Sequence, residues 1–238
     1  VIMADDLGYG DLSCHGGSTP TPNIDRLFRQ GIELGNFMTW CLCSPTRAGL
    51  LTGTHPLTLD QGPYTDGRMS ADTLTFGDHF QEHGYATGIF GKWHNSLTPR
   101  QFPESPHINE FGFDRWVGFY GGGIDYFTKV WPNRTETPNW WHDRTPVDDE
   151  REYATDCLAD YAIAFLRKHR QEPFFCYVPF NTVHTPHHVR AEDLQRVPQD
   201  LIDAAGGTLR SWEEYYKLVN DQQFPMLNEA YMRLTVDC

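Results

Sequence analysis

Four short stretches of this 238-residue chain carry side chains whose types and spacing allow chemistry. Asp5-Asp6 sets two carboxylates side by side. Their mutual repulsion calls for solvent or a cation, and hard oxygen donors suit Ca²⁺ or Mg²⁺; a solvated turn opening Gly8-Tyr9-Gly10-Asp11 is the alternative. Cys43-Ser44-Pro45-Thr46-Arg47 joins a thiol, a proline fit for a first helical turn and a guanidinium. At a helix N-terminus that combination makes an anion site with a nucleophile in it. Lys92-Trp93-His94 brings an ammonium and an imidazole together, and His184, His187 and His188 gather three imidazoles late in the chain. These histidines, Cys14-His15 and Cys41-x-Cys43 offer soft ligands, but their spacing fits no standard zinc template.

The elements that must position these residues alternate between strand and helix. Val1–Ala4 reads as an apolar strand running into Asp5-Asp6, and Pro22–Phe28 as a short helix stopped by Gly31. Ile32–Phe37 reads as a strand, and Pro45 to about Leu51 as a helix starting beside Cys43. Ser70 or Asp72 is expected to cap a helix over Thr73–His83, after which Ala86–Phe90 returns as a strand. Residues 95–150, rich in Gly, Pro, Trp and Asn, read as a loop-heavy insertion over one end of the sheet. Tyr153–His169 has apolar residues at helical spacing, Phe174–Phe180 is a strand, and Leu227–Asp237 a further helix. Such alternation predicts an α/β layered domain with a largely parallel sheet, whose sites lie at the loops beyond the carboxyl ends of its strands. Asp5-Asp6, Cys43, Lys92-His94 and His184 all follow strand signals or stand at helix starts.

Composition narrows the partners. A net charge of −13 argues against nucleic acid, so an anionic substrate requires positive charge focused locally. No apolar run reaches the roughly 20 residues of a membrane span. The six cysteines are too few and too irregular for a disulfide scaffold, and Cys176 in Phe174–Val178 reads as a core thiol. Asn133-Arg134-Thr135 is a glycosylation sequon, relevant only in a eukaryotic secretory protein. Trp131, Trp140, Trp141, Tyr120 and Tyr126 form either a sugar-binding surface or the core of the insertion.

The longer strings carry a resemblance. Cys43-Ser44-Pro45-Thr46-Arg47-Ala48-Gly49-Leu50-Leu51-Thr52-Gly53 resembles the first sulfatase signature, and Gly84-Tyr85-Ala86-Thr87-Gly88-Ile89-Phe90-Gly91-Lys92-Trp93-His94 the second. Ile2–Asp11 looks like the family's opening strand and metal loop, and Pro173–Phe175 with Asn181–His187 like its strand bearing a late histidine. The resemblance implies an alkaline-phosphatase-like three-layer sandwich and hydrolysis of a sulfate monoester, on a sulfated small molecule or glycan. It also implies that a maturation enzyme converts Cys43 to Cα-formylglycine. Asp5 and Asp6 would bind the cation, Ca²⁺ or else Mg²⁺, together with residue 43. Arg47 would hold the aldehyde hydrate and Lys92 a sulfate oxygen; His94 would orient or deprotonate the hydrate, and His184 would contact the sulfate or its leaving oxygen. A phosphate or phosphonate monoester hydrolase of the same superfamily is the alternative, and a non-catalytic relic a further one. The family implies a secreted, periplasmic or lysosomal protein. On this resemblance residues 1–238 are a partial catalytic domain. Val1 opens inside a strand, and the family's further metal-binding Asp-Asn or Asp-His pair and later Lys are not among these residues. The stretch alone is expected to be inactive and poorly stable.

Overall fold

The computed structural model describes residues 1–17, 20–59, 68–130, 138–150 and 152–186, with His188, Arg190 and Asp193. The chain divides into two units. The first comprises Val1–Asp5 and Met38–Asn181, the second Asp6–Phe37 and Thr182–Cys238.

The first unit is built on strands β1 (Ile2–Met3), β2 (Ala86–Lys92), β3 (Arg115–Phe119), β4 (Trp141–His142), β5 (Thr145–Pro146) and β6 (Phe174–Pro179). They lie in the order β1-β6-β2-β3-β4-β5. The β1–β6, β6–β2 and β2–β3 pairs are parallel; β3–β4 and β4–β5 are antiparallel. The α/β class and the largely parallel sheet are thus as the sequence predicts. Strand periodicity splits the core across two faces. Phe90, Val117, Phe119, Cys176 and Val178 pack with helix α4 (Ala154–Lys168) through Leu158, Ala162 and Phe165. The alternate residues Ile89, Trp116 and Tyr177 pack with Ala48 and Leu51 of helix α2 (Cys43–Thr52). Helix α3 (Phe76–Glu82) lies against β2 and β6. Helices on both faces give the three layers.

Local chemistry explains most boundaries. Helix α2 begins at Cys43, two residues before Pro45, and ends at Gly53, which takes the left-handed conformation (φ 64°) and bonds back to Gly49. Helix α3 starts later than expected. Its cap is Thr75, whose Oγ1 accepts from Gly77 and Asp78 N–H groups while Asp78 bonds back to Thr75 N–H. Ser70 bonds Asp72 instead. Within residues 95–150, read as loop-heavy, the short strands β3, β4 and β5 extend the sheet.

In the second unit, helix α1 (Pro22–Gln30) ends at Gly31, as predicted. Thr21 is buried, and its Oγ1 and Ser13 Oγ both donate to Asp25 at 2.7 and 2.8 Å, which holds that carboxyl below its ordinary value. Ile32–Phe37 is not a strand. Ile32, Leu34 and Phe37 are exposed, and the segment pairs with no strand among the described residues, so its apolar composition has no ladder to join. The segments 204–209 and 227–237 lie outside the described residues. No described helix is long and apolar enough to cross a membrane.

Candidate active site

Parallel neighbours align their carboxyl ends, and three loops of the first unit follow from that. Met3 of β1 is level with Pro179 of β6, and Gly91 of β2 presses on the same row. A Cβ on Gly91 (φ 141°) would lie 2.0 Å from the Pro179 carbonyl oxygen, so this close approach requires glycine. Asp5 emerges just past β1 and Lys92 closes β2, with β6 between them. That is roughly 10 Å of sheet, within reach of a lysine and an aspartate extended toward each other.

They meet. Lys92 Nζ donates to Asp5 Oδ2 at 2.5 Å, and Arg47 Nη2 lies 3.4 Å from Asp5 Oδ1. Arg47 also donates through Nη1 to the Lys92 carbonyl at 3.0 Å, tying α2 to the end of β2. All three side chains are buried: Lys92 is 0%, Arg47 1% and Asp5 4% exposed. Among the described residues, two cations facing one carboxylate leave a surplus positive charge out of water, in a chain whose net charge is −13. Burial lowers the pKa of Lys92 from its ordinary value, against the pull of Asp5, and Arg47 adds to the lowering. Arg47 Nε is buried with no hydrogen-bond partner among the described residues. An anion with free oxygens answers both the surplus charge and the orphaned donor.

Beside this trio stands a second pair. Cys43 Sγ is 3.1 Å from His94 Nδ1. Cys43 opens α2; His94 follows β2 in the left-handed region (φ 60°), its N–H donating to the Tyr120 carbonyl at 3.0 Å. Five of the seven predicted residues, Asp5, Cys43, Arg47, Lys92 and His94, therefore belong to the first unit. Asp6 and His184 belong to the second, with His184 Nε2 3.7 Å from Asp6 Oδ2. His184 Nδ1 lies 2.5 Å from the Thr185 carbonyl, a partner that accepts only, so Nδ1 carries a proton. The Asp6 side chain is 63% exposed.

The donor chemistry decides which metal fits. Carboxylate oxygens suit a hard divalent cation, whereas a thiol does not; an oxygen in place of the Cys43 sulfur would be a hard donor like the Asp5 carboxylate. Cys14 and Cys41 are free thiols. Glu150, Glu152 and Cys157 also lie within reach of one ion. There burial pushes the thiol up to about 12, the Lys129 ammonium donates to the Glu152 carbonyl, and Tyr161 donates to Glu150. That group reads as charge compensation for Lys129, itself fully buried.

Of the two readings of the aromatic group, the structure supports the core. Tyr120, Tyr126, Trp140 and Trp141 are core residues, 0 to 3% exposed, and not a sugar-binding surface; Trp131 lies outside the described residues. Sequence reasoning missed Asn95, which follows His94 and lies in neither signature.

The chain is similar to known sulfatases over most of its length. The chain is 33% identical over 213 residues to an uncharacterized sulfatase of Schizosaccharomyces pombe, covering 78% of this chain and 37% of that protein. It is 31% identical over 243 residues to the N-acetylgalactosamine-6-O-sulfatase of Bacteroides thetaiotaomicron, covering 78% and 48%. The crystal structure of Ps i-CgsB in complex with k-i-k-neocarrahexaose superposes with a TM-score of 0.70 at 28% identity, covering 98% of this chain and 52% of that one. The chain thus spans about half the length of these relatives, or less. The sequence model of the sulfatase family matches residues 1–219. A match that runs from the first strand past every motif is too long for a borrowed signature on another fold, and this chain belongs to the sulfatase family.

Proposed function

We propose that the protein hydrolyses a sulfate monoester on a sulfated carbohydrate, with residue 43 as nucleophile once Cys43 has become Cα-formylglycine. The observation that carries this reading is the buried surplus of positive charge, Asp5 against Lys92 and Arg47, beside the Cys43–His94 pair. A sulfated sugar is supported by the name of one relative, an N-acetylgalactosamine-6-O-sulfatase. Arg47 and Lys92 hold the ester's sulfate oxygens and oppose the charge that grows on them during displacement. Because both are out of water, each is worth more than at a surface. The unpartnered Nε of Arg47 is a donor ready for one such oxygen. His94 Nδ1 takes or returns a proton at the side chain of residue 43. Asp5 and Asp6, with an oxygen-bearing residue 43, would hold Ca²⁺ or Mg²⁺, which supplies Lewis-acid activation of that oxygen when bound. The reading entails a formylglycine-generating maturation enzyme as a partner and a secreted, periplasmic or lysosomal location.

The test is turnover by the complete gene product, co-expressed with the maturation enzyme, on matched aryl sulfate and aryl phosphate. Faster sulfate hydrolysis, lowered about 10²–10³-fold in Lys92→Met, is the expected result. A preference for phosphate would move the protein to the phosphoryl-transfer branch of the superfamily.

A further inference from the structure

The residue after His94 lies in neither signature, yet it is among the most deeply held in the first unit. Asn95 is 0% exposed. Its side-chain N–H donates to the Ser44 carbonyl at 3.0 Å and reaches Ser44 Oγ at 3.4 Å, while its backbone carbonyl accepts the Met69 N–H at 2.8 Å. The Cys43–His94 contact and the Ser44–Asn95 bond are therefore consecutive rungs, each joining residues 51 apart in the chain. One rung carries the reactive groups, and the other is a buried amide on the neighbouring peptide.

Backbone also walls the imidazole beside its Cε1. A Cβ on Gly122 would lie 2.9 Å from His94 Cε1 and 3.1 Å from Nε2, so only a glycine backbone can pass there without moving the ring. Meanwhile His94 keeps a left-handed backbone (φ 60°), which a non-glycine residue holds only when its surroundings impose it. The Tyr120 carbonyl, the Gly122 backbone and the Asn95 anchor are those surroundings.

We propose that Asn95 is a positioning residue. Its amide locks the first turn of α2 to the end of β2, and so sets the reach of His94 Nδ1 to the side chain of residue 43, with Gly122 as the back wall. This deepens the hydrolase reading, since it specifies what aligns the proton-transferring pair.

The test separates geometry from turnover. In the complete gene product produced without the maturation enzyme, Cys43 remains a thiol. Its alkylation by iodoacetamide can be followed by peptide mass across pH in wild type, Asn95→Ala, His94→Ala and the double variant. Asn95→Ala is expected to reproduce the altered pH profile of His94→Ala, and the double variant to add nothing. In matured enzyme, kcat should fall by about tenfold to a hundredfold, the scale of a displacement of roughly 1 Å, with KM within about twofold. Additive effects of the two substitutions, or an unchanged alkylation profile in a cooperatively folded Asn95→Ala protein, overturn the proposal. If Asn95→Ala does not fold, Asn95→Leu decides on the same readout, because it keeps nearly the same volume and removes the amide donor; an unchanged profile there overturns it equally. Failure to hydrolyse any ester would sink the hydrolase reading but leave the alkylation result standing.

Discussion

Asp5 is the only carboxylate that the described contacts put against Lys92 and Arg47, and the three side chains are unequal in what their loss leaves behind. Asp5→Ala strands two buried cations without a counter-charge and is expected to cost about 3–5 kcal/mol. Arg47→Met removes the surplus cation and leaves the Asp5–Lys92 pair intact. Its cost is expected to stay nearer about 1–3 kcal/mol, chiefly for the Lys92 carbonyl left without its donor. Denaturant midpoints for the two variants check the order, and a more costly Arg47→Met would contradict the charge count. Lys92→Met should reduce turnover by about 10²–10³-fold, the usual loss for a donor aimed at developing charge. The identities of these residues were legible in the sequence because they sit in long motifs. Asn95 was not, since a buried amide bonded to a peptide carbonyl leaves no periodicity and no charge pattern to read. The left-handed backbone of His94 is equally silent, because it depends on Tyr120 and Gly122 rather than on its own residue type.

At the level of elements, caps and close approaches fix where the site's supports begin. Thr75 both accepts the first N–H groups of α3 and donates to the buried Phe111 carbonyl at 2.8 Å. Thr75→Ala should therefore cost about 1–2 kcal/mol, the upper part of the range for a lost cap, read as a lower thermal midpoint. Ser70→Ala, at a position that seemed an equal capping candidate, should change it little. Gly91→Ala has no space at all: its Cβ would displace the Pro179 carbonyl and prise β2 from β6. A loss of more than about 2 kcal/mol is expected, together with lower turnover, because the strand ends that present Asp5 and Lys92 shift with it. Helix α4 could be read from periodicity because it buries a regular face, whereas β2 and β6 showed as short apolar runs because consecutive residues are buried, and α2 showed through Pro45 in its first turn. Ile32–Phe37 misled for the converse reason. Its apolar residues Ile32, Leu34 and Phe37 are exposed, and it pairs with no strand among the described residues. Strands β4 and β5, two residues each, are too short to register as a pattern within a Gly- and Trp-rich stretch.

For the molecule as a whole, half-buried histidines make the fold sensitive to acid. Burial lowers the pKa of His107, with Arg144 adding to it, and burial likewise lowers that of His142. The unfolded chain therefore binds protons more readily than the folded one, and stability rises with pH between the lowered values and the ordinary histidine value near 6.5. Thermal midpoints should fall as pH drops below about 6.5, and His142→Asn should flatten that slope. An unchanged slope would place the acid sensitivity elsewhere. All of this serves a single chemical claim, that residue 43 acts as an oxygen nucleophile and not as the encoded thiol. The most direct check is the mass of the tryptic peptide Gln30–Arg47 from fully active enzyme, with the modification localised between Cys41 and Cys43. The account predicts an aldehyde at residue 43 and a thiol at Cys41; an unmodified Cys43 in protein of full activity would contradict it.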